Sequence, residues 1–202
     1  AVPMGLKWFL HPHSPPLKQW AIFILSLRDK SQNIAYLSAY GAKTSIEVFI
    51  SHDDICMTEG PIMNPTWLRR YVFPWYEKLW QVLRGKGVRV IFCSDGNIDK
   101  IIDDVASAGA DGFILEPSCD LEGAVRKYGD EKVIMGNVDL KALTFGGRGD
   151  VVREVSRCLR TAGHCPGYFI NVTGSIPDNV PLENLETYFN AFRKLGARPK
   201  SM

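Results

Sequence analysis

From Ser45 onward, short apolar runs alternate with helical patterns, and each run stops in a polar cluster. Residues 46–50, 88–92, 112–115, 132–135 and 167–170 are rich in β-branched and aromatic side chains and are bounded by Gly, Asp or Pro, the pattern of strands. Helical spacing fills the gaps. Asn64 and Pro65 supply an N-cap and a first-turn proline for a helix carrying Trp67, Leu68, Tyr71, Val72, Leu79, Trp80 and Leu83. Pro74 is expected to kink that helix, because it has no N–H to donate and crowds the preceding turn. Asn97 is expected to cap a helix over 98–108, Asp150 one over 151–162, and Pro181 opens a last helix through Leu195. Strands that alternate with helices need crossover connections, so the sheet is parallel and the class is α/β. Nearly continuous apolar strands imply burial on both faces.

The first 44 residues read as an irregular or helical leader, with a proline-broken "LHPHSPPLKQW" and a helix over 31–40 ending at Gly41. His11 and His13 form a loose H-x-H pair there. A net charge of +2 with no long basic run argues against a nucleic-acid partner, and no apolar stretch approaches the length of a membrane span. Five cysteines, an odd number with no C-x-x-C pair, argue against a disulfide framework and for a reducing, cytoplasmic setting.

In a parallel α/β sheet the C-terminal strand ends open on one side, where ligands bind. Each strand here finishes in polar residues: Ser51, His52, Asp53 and Asp54; then Cys93, Asp95 and Asn97; then Glu116; then Asn137 and Asp139; then Asn171, Thr173 and Ser175. Asp53, Asp54, Asp95 and Glu116 are therefore candidate acid–base groups, and Asn64, Asn97, Asn137, Asp139 and Ser175 candidate substrate contacts. Asn and Asp also cap helices and turns, so Asn97, Asp139 and Asp150 have a purely structural alternative. Cys93 beside Asp95 is a candidate metal pair, with a small buried hydrophobe as the alternative for the thiol. "GGRGD" at 146–150 precedes a helix but lacks a P-loop lysine, which favours a tight turn over a phosphate cradle.

Several blocks resemble the uroporphyrinogen decarboxylase superfamily, which includes zinc methyltransferases that work with corrinoid proteins. They are "DDICMTEGPIMNPTWLRRYVFPWYEKL", "GVRVIFCSDGNI", "GADGFILEPSCDL", "KVIMGNVD" and "GYFINVTGSIPDNVPLENLETY". The resemblance implies a (β/α)8 TIM barrel with its site at the strand ends. Such a barrel needs eight strands and about 250 residues, so residues 45–202 are expected to form an incomplete barrel of about five strands. A homo-oligomer or another partner is then expected to close the open sheet edge. The resemblance implies methyl transfer with zinc and a corrinoid on a partner protein, or decarboxylation of a porphyrinogen-like small molecule without a cofactor, or an inert truncated member. Cys93 and Asp95 stand where the methyltransferases carry an H-x-C zinc pair, and a third ligand would come from Glu116, Asp53 or elsewhere. Gly174 stands where the family carries a last-strand histidine or a zinc-binding cysteine.

Overall fold

The structure is a computed structural model that describes the backbone of residues 20–24 and residues 46–197. The His11–His13 pair and the helix expected over 31–40 lie outside the described residues. The chain divides into two compact units, Ala1–Phe113 and Ile114–Met202.

In the first unit, strand β1 (Trp20–Ile24) pairs in parallel with β2 (Val48–His52). β1 falls inside the stretch read as an irregular or helical leader, so the sheet begins earlier than expected. Its sequence, WAIFI, is the same kind of uninterrupted apolar run as the strands that were recognised. A short antiparallel hairpin follows, β3 (Cys56–Met57) with β4 (Gly60–Pro61). Helix α1 (Pro65–Tyr71) starts at Asn64, whose side chain accepts the Thr66 N–H at 2.8 Å. Helix α2 (Phe73–Arg84) begins after a break at Val72, and Pro74 sits in its first turn. Pro74 thus ends one helix and starts another instead of kinking a single one, because a first-turn proline loses no intrahelical hydrogen bond.

β5 (Arg89–Cys93) pairs in parallel with β2, from Val48 opposite Arg89 to His52 opposite Cys93. Both strands reach one or two residues further into their polar clusters than expected, because the parallel ladder continues to that last pair. Helix α3 (Ile102–Ser107) starts at Ile101 rather than at Asn97. Asn97 instead closes a local turn, its Oδ1 accepting the Asp99 N–H at 2.8 Å.

The core of this unit is aromatic. Trp80 is fully buried, stacks on Tyr76 at 4.9 Å and meets Phe92 at 6.0 Å. Its indole N–H donates to the buried Ser51 Oγ at 3.1 Å, which satisfies the one polar atom that this large ring brings inside.

The second unit contains the end of β6 (Gly112–Leu115), a strand that spans the division between the units. After it come α4 (Leu121–Tyr128), β7 (Val133–Gly136), α5 (Leu140–Phe145), α6 (Arg148–Ala162), β8 (Tyr168–Phe169) and α7 (Leu182–Leu195). β7 and β8 pair in parallel, and a further bridge joins Val138 to Val172. α6 buries Val151, Val155, Cys158 and Ala162, spaced by three or four residues as one face of a helix requires. It begins one turn earlier than expected. Asp150 lies inside the helix, and its carboxylate reaches back to the Gly147 N–H at 2.9 Å. The fold class is α/β of the (β/α)8-barrel type, with six parallel strands among the described residues against the eight of a complete barrel. No helix among the described residues is long and apolar enough to cross a membrane.

Trp80→Ala is expected to destabilise the chain by about 3–5 kcal/mol, the usual cost of emptying a large aromatic site. Trp80→Phe is expected to cost less, roughly 1–3 kcal/mol, mainly by removing the donor to the buried Ser51 hydroxyl. Urea unfolding of both variants followed by circular dichroism checks the order.

Candidate functional site

Successive side chains on a strand point to opposite faces. Ser51 on β2 and Phe92 on β5 both touch Trp80 of α2. The next residues, His52 and Cys93, therefore point to the other face, where they form the last register pair. Asp53 returns to the helix side, and its Oδ2 accepts the Tyr76 hydroxyl at 2.7 Å. Its backbone N–H is bound to Cys93 O at 3.0 Å, which extends the ladder by one bond.

Asp54 again joins His52, with Oδ1 2.9 Å from Nε2. Asp54 Oδ1 also accepts the Asp95 N–H at 3.1 Å, and Asp95 Oδ1 lies 3.9 Å from the same imidazole nitrogen. One ligand atom from each of His52, Asp54 and Asp95 lies within 4.8 Å of the other two.

The loops that carry these groups are tied together. Ser94 Oγ accepts the N–H groups of Ile55 and Cys56, each at 3.2 Å, and donates to Asp95 O at 3.1 Å. Asn97 N–H binds Met57 O at 2.8 Å. Gly96 lets that hairpin come close. Its φ is +85°, and a Cβ there would lie 2.4 Å from the Met57 carbonyl.

Charge on the helix side is discouraged. Burial pushes the Asp53 carboxyl up, the Tyr76 hydrogen bond pulls it back in part, Asp54 adds to the rise, and His52 opposes it. Burial and the neighbouring Asp53 likewise keep the Tyr76 phenol protonated. Burial lifts the Cys56 thiol to about 11, with Ser94 opposing.

The candidates from the sequence divide by use. Asp54 and Asp95 come together, and they do so around His52, which had not been counted as a site residue. Its signal was present: the last residue of the strand, two before Asp54 and so on the same face. Asp53 faces the helix. Cys93 is 8% exposed and is not among the gathered donors. Among the described residues the gathered donors are His52, Asp54 and Asp95, so of the expected pair Cys93 and Asp95 only the second takes part.

In the second unit Asn137 is 1% exposed, and its amide donates to Glu116 O at 3.3 Å and Cys119 O at 3.1 Å. Arg157 donates to Asn137 O at 3.1 Å, to Asn137 Oδ1 at 3.0 Å and to Glu154 Oε1 at 2.6 Å. Burial disfavours the charge of Glu154, but Arg157 and the Asp139 N–H outweigh it, so its pKa is lowered. Asp139 caps α5 by accepting the Lys141 N–H at 2.9 Å. Asn137 and Asp139, expected as substrate contacts, thus spend these hydrogen bonds inside the fold, as Asn64 and Asn97 do in their turns. Glu116 is half-buried, and Ser175 is exposed beyond β8. Gly174 has a φ of +77° with open space where a side chain would stand.

Residues 34–195 match the family model for uroporphyrinogen decarboxylase (URO-D). The chain belongs to the uroporphyrinogen decarboxylase family. A uroporphyrinogen decarboxylase from Thermus thermophilus is 32% identical over 135 residues, which are 67% of this chain and 39% of that protein. One from Pseudomonas putida is 29% identical over 109 residues, 54% of this chain and 30% of that protein. The chain thus spans well under half the length of these curated relatives. Among solved structures, the IOLI protein with a bound zinc atom aligns with a TM-score of 0.56 at 11% identity, over 91% of this chain and 76% of that one. A sugar phosphate isomerase/epimerase from Parabacteroides distasonis aligns with a TM-score of 0.51 at 11% identity, over 89% and 72%. At such identities the likeness is one of fold.

Two outcomes follow from the buried polar groups. Tyr76→Phe removes the hydrogen bond that favours ionised Asp53, so the Asp53 pKa is expected to rise further. Because that pKa is already above its unfolded value, ionised Asp53 lowers stability at neutral pH. The loss is expected to be regained as pH falls through the folded pKa toward 3.8, the ordinary carboxylate value. Carboxyl carbon NMR titration measures the shift. Glu154 has the opposite sign: its contribution is present above the ordinary carboxylate range and lost as pH falls through its lowered pKa. Arg157→Leu is expected to cost about 1–3 kcal/mol, since it leaves Glu154 and the buried Asn137 carbonyl groups without their donor in a pair that solvent partly screens, and denaturant midpoints measured at neutral and acid pH check this.

Proposed function

We propose that the chain acts as a lyase of this family that releases CO2 from a carboxylated small molecule, with His52 transferring the proton and Asp54 orienting the ring. The observation that carries this reading is the 2.9 Å contact between His52 Nε2 and Asp54 Oδ1, on the strand face turned away from α2. Loss of CO2 leaves the carbon–carbon bonding pair on the substrate carbon, and that pair must be met by a proton. An imidazole is suited to supply it near neutral pH. With the carboxylate holding Nε2, the nitrogen left for substrate is Nδ1. A protonated Nδ1–H gives its proton to the carbon, a C–H bond replaces the C–C bond, and CO2 departs.

The curated relatives named uroporphyrinogen decarboxylase support a porphyrinogen or a smaller pyrrole carboxylate as the substrate class. Methyl transfer, the first expectation from the resemblance, drew on Cys93 and Asp95 as a zinc corner; the relatives named uroporphyrinogen decarboxylase lend their support to CO2 release instead. Five cysteines with free thiols support a reducing, cytoplasmic setting.

The test is CO2 release by the full chain from uroporphyrinogen and from simpler pyrrole acetates. His52→Gln is expected to lower kcat by at least about 100-fold with little change in KM, the scale of a lost acid–base group. Asp54→Asn is expected to lower it by roughly tenfold. Turnover by His52→Gln equal to that of the unaltered chain overturns the assignment.

A further inference from the structure

We propose that two copies of this chain pair through the free edge of β8, antiparallel and across a two-fold axis at Ile170. β8 ends the strand order of the sheet, with β7 beside it. The carbonyls of Gly167 and Asn171 accept the N–H groups of Ile134 and Val138 at 3.1 and 3.0 Å, so these residues face β7. Main-chain groups alternate in direction along a strand, and those of Tyr168, Ile170 and Val172 therefore face the other way. Tyr168 N–H turns back to Cys165 O at 3.3 Å, but among the described residues no hydrogen bond reaches the main chain of Ile170.

The side chains are uncovered at the same place. Phe169 points to the face opposite Tyr168 and is 54% exposed, although a strand of a parallel α/β sheet is ordinarily covered on both faces. On the helix face, Ile170 lines a hollow of about 300 Å3 with Leu159 of α6 and with Phe192 and Leu195 of α7. The exposed Phe189 continues the apolar strip along α7, its ring 5.9 Å from that of Phe192.

Charge points to the partner. Open strand edges are commonly guarded by charged residues, above all lysine, which keep one copy from pairing with another. No charged residue occurs from Cys165 to Pro177, so a second copy meets this edge without like-charge repulsion. An edge that lies against itself is an isologous contact and closes at two copies. With Ile170 on the axis, its N–H and C=O bond to those of the partner's Ile170, and Val172 faces the partner's Tyr168. The partner's Ile170 side chain then stands on the helix face, beside the hollow. The pairing is independent of the reaction assigned to His52.

Sedimentation equilibrium of the full chain across the micromolar range tests it, with circular dichroism to establish that each variant is folded. A reversible dimer is expected. Ile170→Pro removes an N–H that has no partner within the chain, and with it two bonds across the axis. It is expected to weaken the dimer at least about tenfold and to leave the fold unchanged. Ile170→Cys is expected to form an intermolecular disulfide with oxidised glutathione, because Cα atoms of a bonded antiparallel pair lie about 5.5 Å apart, within disulfide reach. Ser175→Cys, beyond the paired stretch, is expected not to cross-link. A monomeric unaltered chain, a dimer equally tight in folded Ile170→Pro, or no cross-link through Ile170→Cys would each overturn the proposal.

Discussion

The alternation of side chains along β2 and β5 is the constraint on which the site depends. Ser51 and Asp53 are committed to the helix by the Trp80 indole and the Tyr76 hydroxyl. His52 and Asp54 are thereby committed to the opposite face, and the parallel register with β5 brings Asp95 to them. The aromatic core and the polar group are two faces of one pleat. A slip of one residue in register would turn His52 into the helix layer and Ser51 out of it.

Polar strand ends serve two different purposes in this chain. After β7, Asn137 and Asp139 are bonded inside the fold, Asn137 to Arg157 of α6 and Asp139 as the cap of α5. After β2 and β5, Asp54 and Asp95 stay largely in solvent and share one imidazole. The two groups look alike as sequence, since each is an acid or amide following an apolar run. What separates them is the presence of a long cation on a neighbouring helix: Arg157 reaches back to Asn137, whereas no arginine or lysine among the described residues comes to Asp54.

This difference marks how far the sequence could be read. The strands, the parallel order, the Asn64–Pro65 helix start and the last helix after Pro181 all follow from local patterns and appear in the structure within one or two residues. β1 was missed because prolines nearby suggested a loop, although its own five residues are as apolar as any other strand. Asn97 and Asp150 were assigned as caps from composition, but the helix starts are fixed by backbone geometry several residues away. For the site, Asp54 and Asp95 were legible as strand-end acids. His52 became recognisable only once the face of each residue was known, whereas Cys93 shares that face but is not among the gathered donors.

Gly96 carries a consequence for how this region can vary. The hairpin carbonyl at Met57 occupies the space that any side chain at 96 would need, and the same carbonyl anchors Asn97. The tip of the hairpin and the turn after β5 are in effect one mechanical part. Sequence drift in the hairpin can alter its exposed residues freely, but a bulkier residue at 96 would pry the two apart and carry Asp95 away from its histidine. The spacing of the polar group is thus guarded by a residue that contributes no chemistry to it.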